Sequence, residues 1–177
     1  MDWPARRHRV GELVAEYYLP LYRYAFRLSG TAVDAEDLTQ DAFCTAQMRL
    51  HQLRDPGRVK SWLFAILRNG YLHRVREEPP RPIPLDLVGE VAEPTPDPPA
   101  AVDPDQLQAA LNELPEVYRT PVILFYFENF SYREIADQMD LPIGTVMSRL
   151  ARAKVFLRER FLKAPSSAES RRAAHEV

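Results

Sequence analysis

The sequence is short of cysteine, glycine and long apolar runs, and each shortage excludes a class of protein. Its 177 residues include one cysteine, Cys44, so no internal disulfide can form, as is typical of a reducing compartment. The sequence has only six glycines, and its apolar residues recur at helical rather than alternating spacing. Both features argue against β-hairpins. No apolar run is long enough to span a bilayer, and the N-terminus lacks the apolar core of a signal peptide. We therefore expect a soluble, cytoplasmic, all-α protein in which Cys44 is a small buried hydrophobe.

Charge is spread unevenly along the chain. The net charge is −2 at pH 7, whereas nucleic-acid-binding proteins usually carry a basic surplus. Residues 79–105 carry one Arg against six Asp and Glu, and residues 143–163 carry six Lys and Arg against one Glu. The positive charge is therefore concentrated in one segment near the C-terminus.

A proline-rich stretch divides the chain. Nine of the 26 residues from Pro79 to Pro104 are proline, which fixes φ and donates no backbone hydrogen bond. We predict an extended acidic tether at 79–103 between two small helical domains, 1–78 and 104–164, followed by a disordered polar tail, 165–177.

The predicted helices follow from apolar spacing and from cap residues. Glycine at Ser29-Gly30 ends the first helix, and Asp103-Pro104 caps the fourth. We predict helices at 10–28 (interrupted near Pro20), about 31–50, about 59–77, 104–113 and 116–128, with a loop at 51–58.

A helix-turn-helix pattern occupies residues 131–163. Ser131 and Glu134 have the spacing of a capping box, and Asp140-Leu141-Pro142 ends the first helix because the residue before proline avoids the helical region. A second helix restarts near Ile143 and extends to about Lys163. This motif commonly places its second helix in the major groove of DNA.

The second helix of the motif has two faces at about 100° per residue. One is an apolar stripe, formed by Ile143, Val146, Leu150, Ala153, Leu157 and Phe161. The other carries Thr145, Ser148, Arg149 and Arg152. Arginine forms bidentate pairs with guanine or phosphate, so this face is a candidate DNA reader; the alternative is a solvated cationic surface.

Two helices of the first domain also carry chemically informative residues. Asp34, Asp37 and Asp41 form a carboxylate stripe, which suits a metal, acid/base chemistry, a basic protein partner or simply solvent. The third helix mixes aromatic and cationic residues, a combination typical of single-stranded nucleic-acid binding. The aromatic residues are Trp62, Phe64 and Tyr71, the cations are Lys60, Arg68, Arg74 and Arg76, and the expected core residues are Trp62, Leu63, Ile66 and Leu67.

With both domains placed, the chain resembles a bacterial RNA polymerase sigma factor of the extracytoplasmic-function (ECF) group of the sigma-70 family. Segments 21–28, 34–43 and 61–69 resemble sigma region 2, and segments 114–116, 130–136 and 143–153 resemble region 4. The order of the two regions, joined by a linker, is specific to this group. Met147 departs from the pattern, because Lys or Arg is frequent there.

The resemblance implies a role for each candidate residue. Asp37, Leu38, Gln40 and Asp41 would contact the β′ clamp helices of core polymerase. The β flap would be a second contact with core polymerase. The −10 promoter element would be opened by loop 51–58 with Arg58, Lys60, Arg68, Asn69, His73 and Arg76. The −35 element would be read by Ser148, Arg149 and Arg152, with Thr145 and Lys154 holding phosphates. The family also implies promoter DNA as a ligand and an anti-sigma factor as a partner.

Two other function classes remain open from the residues alone. A stand-alone helix-turn-helix regulator would dimerise and bind palindromic DNA without polymerase. A helical enzyme or metalloprotein would need a constellation of His, Cys and carboxylates that the sequence lacks. We expect no catalysis, no cofactor and no metal site.

Overall fold

The computed structural model describes residues 3–75 and 103–163, and these ranges are predominantly α-helical. The all-α prediction is confirmed. The predicted tether (apart from Asp103), the tail 165–177 and Arg76 lie outside the described residues. The helices are α1 (Trp3–Ser29), α2 (Ala32–Arg49), α3 (Val59–Val75), α4 (Pro104–Glu113), α5 (Glu116–Tyr126), α6 (Tyr132–Met139) and α7 (Ile143–Lys163). We refer to α1–α3 as the N-terminal helices and to α4–α7 as the C-terminal helices.

Helix α1 passes through Pro20 without a break, so the predicted interruption is wrong. Proline costs the helix one backbone hydrogen bond. The two turns that follow bury Leu21, Tyr24 and Leu28 completely. Burying each of these side chains contributes about 1.5–3 kcal/mol, so the three together outweigh one missing hydrogen bond.

The junction between α1 and α2 forms as predicted. Gly30 has a φ of +82°, and its N–H donates to the Phe26 carbonyl at 2.7 Å. A left-handed residue at this position suits glycine. The Thr31 hydroxyl then caps α2 by accepting a hydrogen bond from the Asp34 N–H at 3.1 Å.

Cys44 is exposed on α2, which contradicts the prediction that it is buried. Its neighbours Ala42, Phe43 and Ala46 supply the buried side of this helix. Cys44 is 100° or more from each of these positions around the helix axis and therefore faces away from the core.

The helix-turn-helix of the C-terminal helices is confirmed. Ser131 and Glu134 form both halves of the capping box, and Asp140 ends α6 in the left-handed conformation with a φ of +53°. The apolar stripe of α7 is only partly as predicted: its central residues are buried, but Ile143 is 45% exposed and Phe156 is buried instead. Ile143 is the first residue of α7, and the helix contacts the core only from Val146 onward.

We expect Ser131→Ala to lower the free energy of unfolding by about 1 kcal/mol at neutral pH, because a capping hydroxyl is lost. Hydrogen bonds from Ser131 lower the pKa of Glu134 below its usual value. A carboxylate of lowered folded-state pKa stabilises the protein at neutral pH and loses that contribution as the pH falls through its folded pKa. Urea titrations at pH 7 and pH 3 should therefore show a smaller difference between variant and parent at pH 3.

The N-terminal and C-terminal helices share one continuous hydrophobic core. The rings of Phe64 on α3 and Phe130, which precedes α6, lie 5.2 Å apart between centroids. This direct packing was not part of the sequence-based prediction, which treated the two helical units as separated by a tether. Over the described ranges, no helix is long and apolar enough to cross a membrane.

Candidate nucleic-acid and protein interfaces

The candidate reading face of α7 begins directly after the turn of the helix-turn-helix. Thr145, Ser148, Arg149 and Arg152 are all partly exposed. The Ser148 hydroxyl donates to the Thr145 carbonyl at 3.0 Å, and Arg149 donates to the Val117 carbonyl at 3.4 Å. The Arg149 contact connects α7 to α5. One face of one helix thus presents hydroxyls and guanidinium groups together, as predicted.

Met147 is an additional exposed residue among these polar side chains, with 51% of its surface accessible. The sequence-based assignment of DNA contacts treated it as a departure from the family pattern, in which Lys or Arg is frequent at this position. An exposed apolar side chain on a reading helix can contact the methyl group of thymine. Its position, one residue before Ser148, was a signal in the sequence that could have included it.

Three of the candidate −10 residues lie on the surface of the N-terminal helices. Asn69 and His73 are exposed one turn apart on α3. Arg58 is exposed directly before α3, where its Nε lies 3.7 Å from an Asp55 carboxylate oxygen. These three side chains are accessible to a ligand in this structure.

Lys60 and Arg68 lie instead against the C-terminal helices. The Lys60 ammonium donates to the Glu128 carbonyl and lies 4.7 Å from the centre of the Phe130 ring. Arg68 is only 12% exposed and pairs with Glu116 at 3.5 Å. The structure therefore divides the predicted set of −10 residues into an accessible group and a covered group.

The aromatic residues of α3 do not form a stacking platform. Phe64 and Tyr71 are buried in the core, so neither presents a face to a nucleic-acid base. Trp62 is half-buried and lines an open cleft of about 840 Å³ between the loop after α2 and helix α6. The cleft is also lined by two exposed arginines: Arg54, which lies in loop 51–58, and Arg133, which the sequence-based assignments did not include.

A buried polar network lies where the two helical units meet. Arg119, on α5, is 4% exposed. Its guanidinium group donates to the carbonyls of Leu114, Asn112 and Leu28 and to the Tyr71 hydroxyl. The first two acceptors belong to the C-terminal helices, and the last two belong to the N-terminal helices. One buried side chain thus donates hydrogen bonds to both units.

Glu128, two residues after α5, lies at the same junction. Burial raises its pKa, while the nearby cations Lys60, Arg27 and Arg23 oppose that shift. Arg27 lies over the Phe127 ring at 3.7 Å, and its own pKa is lowered by burial. The junction therefore places partly desolvated charges of both signs side by side.

The carboxylate stripe of α2 is on the surface as predicted. Asp37 and Gln40 are exposed, and Asp41 is exposed while paired with Arg74 at 2.6 Å. Leu38 is only 2% exposed and packs in the core, so it cannot contact a partner directly in this structure. In the two described ranges, no three His, Cys, Asp or Glu side chains come together as a metal site.

Two protein-family models match the chain, in the order in which the helical units occur. The family described as Sigma-70 region 2 matches residues 13–79, and that described as Sigma-70, region 4 matches residues 105–157.

Curated relatives and a solved structure are similar over most of the chain. ECF RNA polymerase sigma factor SigE of Mycolicibacterium smegmatis is 37% identical over 86% of this chain, which spans 61% of that relative's length. ECF RNA polymerase sigma factor SigM of Mycobacterium tuberculosis is 33% identical, with 85% of this chain and 76% of the relative covered. The sigma factor RpoE from Bartonella quintana, solved in complex with the anti-sigma factor NepR, is 27% identical with a TM-score of 0.70, covering 88% of this chain and 98% of that one.

Proposed function

Since this chain belongs to the ECF group of the sigma-70 family of RNA polymerase sigma factors, we propose that it binds core RNA polymerase, recognises −10 and −35 promoter elements and directs transcription initiation. It acts in the bacterial cytoplasm as a specificity subunit, and the polymerase performs the catalysis. The observation that carries this proposal is the arrangement of sites in one chain. The C-terminal helices include α7, whose exposed face carries hydroxyl and guanidinium groups. The N-terminal helices carry their own exposed cations and carboxylates.

The −35 element is read by α7. Arg149 and Arg152 pair with base edges in the major groove, and Ser148 donates or accepts beside them. Thr145 and Lys154 hold flanking phosphates, which fix the register of the helix without carrying sequence information. The capping box of α6 supports this arrangement, because it fixes the helix that crosses behind α7.

The −10 element is opened by α3 and by the loop before it. Taking a base out of the stack costs a few kcal/mol, so cations must hold the displaced strand. Arg58, Asn69 and His73 are accessible for this role in the present structure. Lys60, Arg68 and Arg76 complete the set.

Core polymerase is bound through the carboxylate stripe of α2. Asp37, Gln40 and Asp41 present the contact surface to the β′ clamp helices, and Leu38 supports that surface from the core side. The C-terminal helices approach the β flap, and residues 79–103 connect the two contacts as a tether. Region 2 thus corresponds to 1–78 and region 4 to 104–164.

We also propose an anti-sigma factor as a partner. The Bartonella quintana relative was solved with such a protein bound, and that relative's fold covers 88% of this chain. A protein inhibitor that occupies the polymerase-binding surface would keep the chain from core enzyme, and one that occupies the promoter-binding surfaces would keep it from DNA.

Run-off transcription tests the proposed function directly. Core polymerase from a bacterium is mixed with this protein and a pooled library of random promoters. Transcripts that share a two-element promoter are the expected result. A palindromic site bound by the protein alone, with no transcription, would support a stand-alone regulator instead.

We expect Asp37→Lys to weaken core-polymerase binding about tenfold, because a like charge at a docking surface opposes association. Glu36→Lys is the matched control, since it makes the same charge change on α2 about 100° away around the helix axis. Both residues are exposed, so the fold should be unaffected. Titration of labelled protein with core enzyme gives both affinities. Equal losses in the two variants would indicate a general charge effect rather than a docking contact.

A further inference from the structure

Met147 does not contribute to the hydrophobic core of the protein. Its side chain is apolar and exposed, and it belongs neither to the core nor to the apolar side chains that pack against the core. Val146, directly before it, and Leu150, three residues after it, are both buried. Single exposed apolar residues are common on protein surfaces, so exposure by itself assigns no function. The position of Met147 on α7 supplies the further argument.

Met147 lies in the part of the reading helix that meets base edges. It is the fifth residue of α7 and therefore falls within the first two turns of that helix. In a helix-turn-helix, the N-terminal residues of the second helix contact bases in the major groove. Methionine carries no charge and no hydrogen-bond donor with which to hold a phosphate. Its contact in the groove must therefore be with part of a base.

The surface around Met147 is apolar and open. Residues three and four positions away are its neighbours on the helix surface, and these are Ile143, Gly144, Leu150 and Ala151. None of the four has a side-chain hydrogen-bond donor or acceptor. Gly144 also leaves room, since a Cβ placed there would meet nothing within 4 Å. A base edge can therefore approach Met147 closely, but these side chains offer it apolar contact alone.

Only one group of the four bases suits such a surface in the major groove. Guanine, adenine and cytosine present donors and acceptors there, whereas thymine also presents its 5-methyl group. A donor or acceptor pressed against apolar side chains would lose its hydrogen bonds to water without replacement. A methyl group loses nothing and gains from burial.

We propose that Met147 is a specificity residue that reads a thymine of the −35 element through its 5-methyl group, with Ile143 and Ala151 beside the contact. The inference rests on the proposed function for the placement of α7 in the major groove. It adds an apolar reader to the polar residues assigned to that element. The −35 element of this protein then contains a thymine–adenine pair opposite Met147.

Deoxyuridine tests the contact at the level of one methyl group, because it differs from thymidine by that group alone. A promoter selected in the run-off experiment is prepared with each −35 thymine, on either strand, replaced in turn by deoxyuridine. The affinity of the polymerase complex for each duplex is then measured. We expect one position at which the replacement weakens binding about fourfold, the factor that corresponds to burial of one methyl group.

Met147→Ala completes the comparison. The polymerase complex with this variant should bind the thymine and deoxyuridine duplexes equally well, because the partner of the methyl group is gone. Leu162→Ala is the matched control. Leu162 is a large exposed apolar residue of the same helix, 15 residues later and so about 22 Å along its axis. The control should keep the fourfold difference between the two duplexes.

Met147→Arg provides a second test, by gain of a new preference. Arginine pairs with guanine through its O6 and N7 atoms, so a guanine at the same position should now be preferred over thymine by about tenfold. Tighter binding of all sequences alike would place residue 147 against phosphates and overturn the proposal. The absence of any methyl-dependent position would also overturn it, as would a methyl effect that persists in Met147→Ala.

Failure of this inference and failure of the proposed function give different results. A polymerase complex that selects promoters but is indifferent to the methyl group overturns the role of Met147 alone. A protein that binds no polymerase and selects no promoter overturns the proposed function and the inference with it.

Discussion

Replacing Arg119 with methionine is expected to lower the free energy of unfolding by about 3–5 kcal/mol, since the change strands buried acceptors in both helical units. Arg119 is 4% exposed, and its guanidinium group satisfies the carbonyls of Leu114, Asn112 and Leu28. Methionine fills a similar volume but donates nothing. Urea unfolding followed by far-ultraviolet circular dichroism measures the loss.

Arg133→Met is the matched control for this prediction. Arg133 is exposed on α6 in the same helical unit, so its replacement should change stability by no more than about 0.5 kcal/mol. A loss of the same size in both variants would show that the Arg119 network contributes nothing special. If only Arg119→Met unfolds in two separate transitions, a role for Arg119 in coupling the two units is supported, because the units would then unfold independently.

Arg149→Ala and Arg152→Ala are each expected to cost about 1–3 kcal/mol of specific binding at one position of the −35 element. A bidentate arginine discriminates between bases at the position that it contacts, so the loss should be confined to that position. The measurement is the affinity of the polymerase complex for a library in which each −35 base is varied in turn. Arg149 also donates to the Val117 carbonyl, so its replacement requires a check of the melting temperature.

Arg158→Ala is the control for these two substitutions. It removes the same charge from α7, but Arg158 lies about half a turn away from Arg149 around the helix axis. Its loss should weaken binding slightly and equally for all promoter sequences. An equal loss across the library for Arg149→Ala or Arg152→Ala would make those residues phosphate contacts rather than base readers.

Features that depend on a few neighbouring residues could be predicted from the sequence. The capping box at Ser131, the glycine end of α1 and the proline after Asp140 act within one or two turns of the backbone. The capping box and the proline set the bounds of the helix-turn-helix from within it, and the glycine does the same for the junction of α1 and α2. The reading face of α7 follows as well, because a regular helix converts spacing directly into direction.

Features that depend on distant packing could not be predicted. The continuity of α1 through Pro20 depends on residues of other helices that bury the next turn. The exposure of Cys44 depends on which side of α2 meets α1 and α3. The covering of Lys60 and Arg68 depends on α5 and on the segment before α6, some 50 to 70 residues further along the chain. Spacing within one helix carries no information about such partners.

The exposed thiol of Cys44 makes the chain its own single-site probe. Cys44 lies seven residues after Asp37, and so within about 20° of it around the axis of α2, on the side of the carboxylate stripe. It is the one cysteine in the sequence and is exposed, so a maleimide dye would attach at a single position without mutagenesis. A fluorophore there would report every encounter with a protein that binds this side of α2, in real time and with the natural sequence intact.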